Sequence, residues 1–197
     1  MPGTASTPPP PLRRPAPARR AFTTVLLAFG LLTAPGARAD ASKEYDLKAV
    51  LLYHFTQFVE WPPTASPRPD APIVIGILGR DPFGQVLDEL VRQESREHRR
   101  IVVERYRGPD AIGNCQILFI DSSESRNLPR ILAALKGRPV LTVGDSEDFA
   151  IRGGMIRFMK GPDDRISLRI NLAAAKAGGL TISSRLLRVA DIVTTQK

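Results

Sequence analysis

The chain has 197 residues, with 28 lysines and arginines against 20 acids, a formal net charge of +8. Residues 1–39 hold five arginines, eight of the 18 prolines and no acid, so residues 40–197 carry a net of only +3, which argues against a polybasic nucleic-acid binder. About 150 Val-, Ile- and Leu-rich residues exclude disorder and make one domain, and a single cysteine excludes a disulfide scaffold or a multi-cysteine zinc site.

In chain order, residues 1–18 are Pro-rich and cannot pack or continue a helix. Arg19 and Arg20 then precede an apolar run at 21–34, too short to span about 30 Å of hydrocarbon. Pro35-Gly36 and Ala37-Arg38-Ala39 follow, a small-x-small signature that predicts a secretory signal peptide over 1–39, cut after Ala39. Arg19-Arg20-Ala21-Phe22 leaves the twin-arginine route open beside the general one.

The first element of the expected mature domain (40–197) is a helix over 43–59. Leu47, Val50, Leu51, His54, Phe55 and Phe58 form its apolar stripe, with Lys48, Tyr53 and Thr56 on the other faces. Trp61-Pro62-Pro63 ends it. Short apolar runs at 73–78, 117–120 and 140–143 suit strands buried on both faces of a parallel sheet. Helices are expected at 83–92 and 128–135, with a further strand at 101–106. Asp81 and Pro82 read as cap and first turn of the earlier helix. Gly161-Pro162-Asp163-Asp164 separates alternating segments at 155–160 and 165–170, an antiparallel hairpin. Asn171 caps a short helix at 172–177 that Gly178-Gly179 ends. Ser183 or Ser184 starts a last helix carrying Leu186, Leu187, Ala190 and Val193. The fold class is therefore α/β: a mainly parallel sheet flanked by helices, with an added antiparallel hairpin.

Catalytic spacing is not found. His54 sits in the helix stripe as a core histidine, and His98 lies in a solvated charged run with Arg92, Arg96, Arg99 and Arg100. Asp145, Glu147, Asp148 and the Asp163-Asp164 pair read as solvated loop acids. The glycines around 76–84 lack dinucleotide-loop spacing. Cys115, at the start of an apolar strand, reads as a buried structural thiol. Gly153-Gly154 before a strand predicts a positive φ or a close backbone approach.

Taken in order, these motifs resemble the YfiR family of periplasmic regulators. The matching residues are Leu47-Lys48-Ala49-Val50, Tyr53, Phe55, Phe58-Val59-Glu60-Trp61-Pro62, Gly76-Ile77-Leu78-Gly79 and Asp81-Pro82-Phe83. They continue through Cys115-Gln116-Ile117-Leu118-Phe119-Ile120, Val140-Leu141-Thr142-Val143, Phe149-Ala150 and Gly153-Gly154-Met155-Ile156. They close with Ile170-Asn171-Leu172, Ala174-Ala175, Ile182-Ser183-Ser184 and Leu186-Leu187. The resemblance implies an exported domain without enzymatic activity or cofactor. Its partner would be the periplasmic sensory domain of an inner-membrane diguanylate cyclase, which it holds inactive. No nucleic acid, membrane span after cleavage or metal is called for, and a homodimer is compatible with it. Known members carry several cysteines under redox control; here only Cys115 is present, so intramolecular redox control does not carry over. The alternative is a periplasmic small-ligand sensor, with a pocket at the carboxyl ends of the parallel strands built from the 79–83 turn, Trp61 and Gly153-Gly154. Partner- or ligand-binding candidates are residues that a core does not obviously require: Trp61, Phe83, Gly153, Gly154 and Met155.

Overall fold

The computed structural model describes Gly3 and residues 36–193, apart from Pro67, Pro69, Arg96, Glu97, His98, Pro162 and Asp164. Most of the expected leader, together with His98, Arg96 and Asp164 of the sequence reading, lies outside the described residues. The elements run α1 (Gly36–Phe58), β1 (Val59–Glu60), β2 (Ile73–Leu78), α2 (Gln85–Glu94), β3 (Ile101–Tyr106), β4 (Ile117–Ile120), α3 (Leu128–Ala134), β5 (Leu141–Gly144), β6 (Ile156–Lys160), β7 (Ile166–Ile170), α4 (Leu172–Ala177), β8 (Thr181–Ile182), α5 (Ser184–Leu187) and β9 (Ala190–Ile192). Among the described residues no helix is long and apolar enough to cross a membrane.

Seven strands form one sheet in the order β3-β2-β4-β5-β6-β7-β9. Every neighbouring pair is parallel except the β6–β7 hairpin, so the expected mainly parallel α/β architecture with an added hairpin is what the chain adopts. β1 and β8 pair separately, antiparallel, through Val59↔Ile182 and Glu60↔Thr181. Alternation along the strands feeds two cores. Ile75, Ile77, Ile117 and Phe119 join Leu52, Phe55, Leu87 and Val91 of α1 and α2 on one face. Val74, Leu78, Leu118 and Ile120 join Leu128 and Ile131 of α3 on the other. Burial on both faces is why these strands read as unbroken apolar runs.

Several expectations are corrected. The buried face of α1 overlaps the predicted stripe only in part: Phe55 is buried and Leu51 and Phe58 pack against the core as expected. Lys48, Ala49, Leu52, Tyr53 and Phe55 point inward, whereas Leu47 is 46% exposed. Lys48 can occupy a core position because it brings its counter-ions with it, as described below. His54 is half-buried, and its Nδ1 finds no hydrogen-bond partner. The second helix starts at Gln85, two residues later than expected. Asp81 Oδ1 accepts from the amides of Phe83 (2.9 Å) and Gly84 (3.1 Å), closing a turn ahead of the helix instead of capping it. The last helix is one turn long, and Ala190, assigned to it by its spacing, lies in β9, which pairs with β7. Asn171 does cap α4, accepting from the amide of Ala174 at 2.9 Å.

Candidate functional site

Two polar regions lie at opposite ends of the parallel strands. At the carboxyl end, the Lys48 ammonium of α1 sits 2.6 Å from Glu44 and 3.2 Å from Asp145, which directly follows β5, and 4.2 Å over the Tyr45 ring. Lys48 is 3% exposed. Tyr45 donates to Asp145 Oδ2 at 2.8 Å, while Asp145 Oδ1 is buried without a hydrogen-bond partner. Lys160, at the end of β6, reaches Glu44 at 3.4 Å. Asp145 is thus not a solvated loop acid but one half of a clasp that fastens α1 to the sheet. Burial, the nearby Asp145 charge and the hydrogen bond to it push the Tyr45 hydroxyl up. Burial alone would raise the Glu44 carboxyl, but hydrogen bonds and charges from Lys48 and Lys160 outweigh it and hold the group below its ordinary range.

At the amino end, three adjoining hollows form a groove. The first, of about 460 Å³, is lined by Trp61, Pro62, Pro63, Arg68, Ile73, Arg99 and Gln116, among others. The second, of about 330 Å³, shares Ala65 with the first and continues over Cys115 and Arg138. The third, of about 380 Å³, shares Gly137, Arg138 and Val140 with the second and reaches Gly153, Met155 and Gly178. Arg68, Arg99, Lys136 and Arg138 line these hollows, and among the described residues no carboxylate does.

Gln116 organises the first two hollows. Its side chain accepts from the amide of Val74 at 2.8 Å and donates to the Ala65 carbonyl at 2.7 Å. Its own carbonyl accepts from Trp61 Nε1 at 3.2 Å. One buried amide thereby fastens the loop after α1 onto the sheet. Arg99 is exposed, as expected of the charged run, but its guanidinium is anchored: it donates to the Ala71 carbonyl (2.6 and 2.8 Å) and to Ser66 Oγ (2.8 Å). Arg138 donates to the carbonyls of Ile112 and Gly113. Cys115 is buried and unpaired, and burial is the main cause that pushes its thiol up to about 11. The sequence reading missed Gln116, Arg99 and Arg138 as site residues. Their signal was faint: each is a polar residue flanking a strand, and its partners come from distant segments.

The five sequence candidates separate. Trp61, Gly153 and Met155 line the amino-end groove, at its two extremities. Phe83 is core, edge-on to Tyr45 and Phe119 at ring centroids of 5.6 and 4.8 Å. Gly154 packs against the buried Phe149 ring, where a Cβ would collide. Gly153 has φ +102°, the left-handed conformation expected of that pair. The alternative pocket imagined from the 79–83 turn, Trp61 and Gly153-Gly154 cannot form, because its parts lie at opposite ends of the sheet. The turn follows β2, whereas Trp61 bonds ahead of β4 and the glycines precede β6. No described group of three His, Cys, Asp or Glu side chains could hold a metal ion.

No curated protein matches the sequence. Among solved structures, the ABC domain in complex with L-Trp from Streptococcus pneumonia is 12% identical, with a TM-score of 0.46 over 61% of this chain and 55% of that one. The chain thus spans about half the length of that structure. The profile of the YfiR/HmsC-like family matches residues 45–191, from Tyr45 in α1 to Asp191 in β9. The chain, with its two-core α/β sheet and the loops that build the groove, belongs to the YfiR/HmsC-like family.

Proposed function

We propose that the protein is an exported regulator that binds the periplasmic sensory domain of an inner-membrane diguanylate cyclase and holds it inactive, lowering cyclic di-GMP. Family membership over residues 45–191 carries this reading. The groove supports it: Trp, Met and Arg side chains on an open apolar floor are the composition of a protein-contact surface. The regulator needs no chemistry of its own. By binding one conformation of the sensory domain it shifts the population, and moving a two-state cyclase from 99% active to 99% inactive takes a differential affinity of about 5.5 kcal/mol.

The export step fits the helix boundaries. Cleavage after Ala39 removes only the first turn of α1, which begins at Gly36, and leaves Tyr45, which packs against the apolar core, in the mature chain. The expected result is a rise in cyclic di-GMP on deletion of the gene, reversed by the full chain but not by residues 40–197 made without the leader. Unchanged cyclic di-GMP after deletion would falsify the regulatory reading. A second reading, a small-ligand sensor, is favoured by the size of the hollows, since about 300–1,000 Å³ is usual for small-molecule sites. It predicts that a metabolite panel contains compounds that raise the melting temperature, because ligands of the native state stabilise it. The two readings are compatible.

A further inference from the structure

We propose that the amino-end groove, from Trp61 past Arg99 and Arg138 to Met155, docks an extended acidic segment of a protein partner. This goes beyond the cyclase reading, because it specifies the chemistry of the docked segment and holds whichever protein carries it.

Charge is the first ground. Residues 40–197 are nearly balanced at +3, yet the described residues of the groove lining include four cations and no carboxylate. Two of the cations are fixed by neutral acceptors. Arg99 is held by the Ala71 carbonyl and Ser66, and Arg138 by the carbonyls of Ile112 and Gly113. Carbonyls orient a guanidinium without cancelling its charge, so both arginines stand preorganised for an anionic group. Arg68 has the exposed Asp70 at 4.0 Å, a pairing worth little in water. Glu104, which lies beside Cys115, is already engaged as acceptor for the Tyr106 hydroxyl at 2.8 Å.

Shape is the second ground. Each hollow accommodates a side chain or two, and shared residues join them in series. A compact ligand would occupy one hollow; an extended peptide occupies all three. Its apolar side chains would meet Trp61 and Ile73 at one end and Met155 at the other, with acidic residues over the arginines between.

The test uses the purified protein and a series of fluorescein-labelled peptides of one length and one leucine content, stepped from basic to acidic. Affinity should rise toward the acidic members and fall with salt. The exposed lining pair Arg68→Glu/Lys136→Glu should weaken the acidic peptide about tenfold or more, while Arg185→Glu/Arg188→Glu, outside the groove, should change it less than about twofold. Thermal unfolding checks that both pairs remain folded. Absence of acidic-peptide binding at about 1 mM, or equal binding by both pairs, overturns the proposal. So does equal groove-dependent binding of oligothymidylate, which would make the groove a general polyanion site. So does a dimer in sedimentation that the groove pair dissociates, which would make a second copy the occupant. None of these outcomes bears on cyclic di-GMP in the deletion strain, so failure here leaves the cyclase reading standing.

Discussion

Lys48 shows how one side chain can rotate the reading of a whole helix. An ammonium at a core position is costly unless its counter-ions come with it. Here Glu44 is one turn away on the same helix, and Asp145 is carried to it by the end of β5. Replacing Lys48 by Met keeps the apolar volume but leaves two largely buried carboxylates facing each other. At pH 7 we expect a loss of about 3 kcal/mol in urea unfolding. The sign with pH follows from Glu44, whose folded-state pKa lies below its ordinary value. A depressed carboxyl contributes stability above its unfolded pKa, and that contribution is lost as pH falls through the folded value. The wild type therefore weakens below about pH 4.5, and Lys48→Met weakens less there. The gap between them should be widest near neutrality and shrink in acid; a gap that is constant from pH 7 to pH 3.5 would remove the clasp from the account. Phe149 makes a second residue-scale case. Its ring lies where Cβ atoms on Gly144 and Gly154 would be, the former within 2.6 Å. Gly154→Ala should cost about 1–3 kcal/mol by overpacking, although Ala has the higher intrinsic propensity. A neutral result would mean that the ring moves aside freely.

At the scale of elements, the loop after α1 depends on a single amide. Gln116→Ala strands the buried amide of Val74 and frees Ala65, an expected loss of about 1–3 kcal/mol. Because Trp61 is the only tryptophan and hydrogen-bonds to the Gln116 carbonyl, its emission should shift to the red if the loop lifts. Destabilisation with unchanged emission would show that the β1–β8 pairing alone holds the loop. The same loop illustrates what the sequence discloses. β2, β4, β5 and the β6–β7 hairpin were legible because burial on both faces, or alternation, stamps a pattern on four to six consecutive residues. The turn at Gly153 was legible from its two glycines. α1 was placed, but its buried face was read only in part: Phe55 is buried as expected, whereas Lys48 and Tyr53 are polar by type and buried by partnership. β9 was read as helix because Leu186, Leu187, Ala190 and Val193 satisfy helical spacing. Pairing with β7, remote in sequence, decided otherwise. Trp61 and Met155 could be singled out separately. That they share a groove with Arg99 and Arg138 depends on which strand ends lie side by side, and no local pattern encodes that.

At the scale of the whole molecule, the two cores are separate in composition but not in mechanism. Each central strand contributes to both: Ile75 and Ile77 to one face and Val74 and Leu78 to the other, with Ile117, Phe119, Leu118 and Ile120 repeating the arrangement in β4. Melting α3 from its face would expose one side of strands whose other side is still packed under α1 and α2. Their backbone pairing would then lose the burial that favours it, so neither layer should be stable without the other. Leu52→Ala, beneath α1, and Ile131→Ala, beneath α3, remove fully buried side chains and should each cost about 2–5 kcal/mol. Both should lower one common transition. Trp61 emission, which reports the loop on the amino end of the sheet, and far-UV circular dichroism, which reports helices on both faces, should give the same midpoint in wild type and in both variants. Divergence of the two signals in Ile131→Ala, with dichroism lost before emission changes, would show that the α3 layer unfolds by itself. The shared sheet would then not couple the faces. Coincidence in Ile131→Ala is the stronger result, because its cavity lies in the cluster that excludes the core residues of α1.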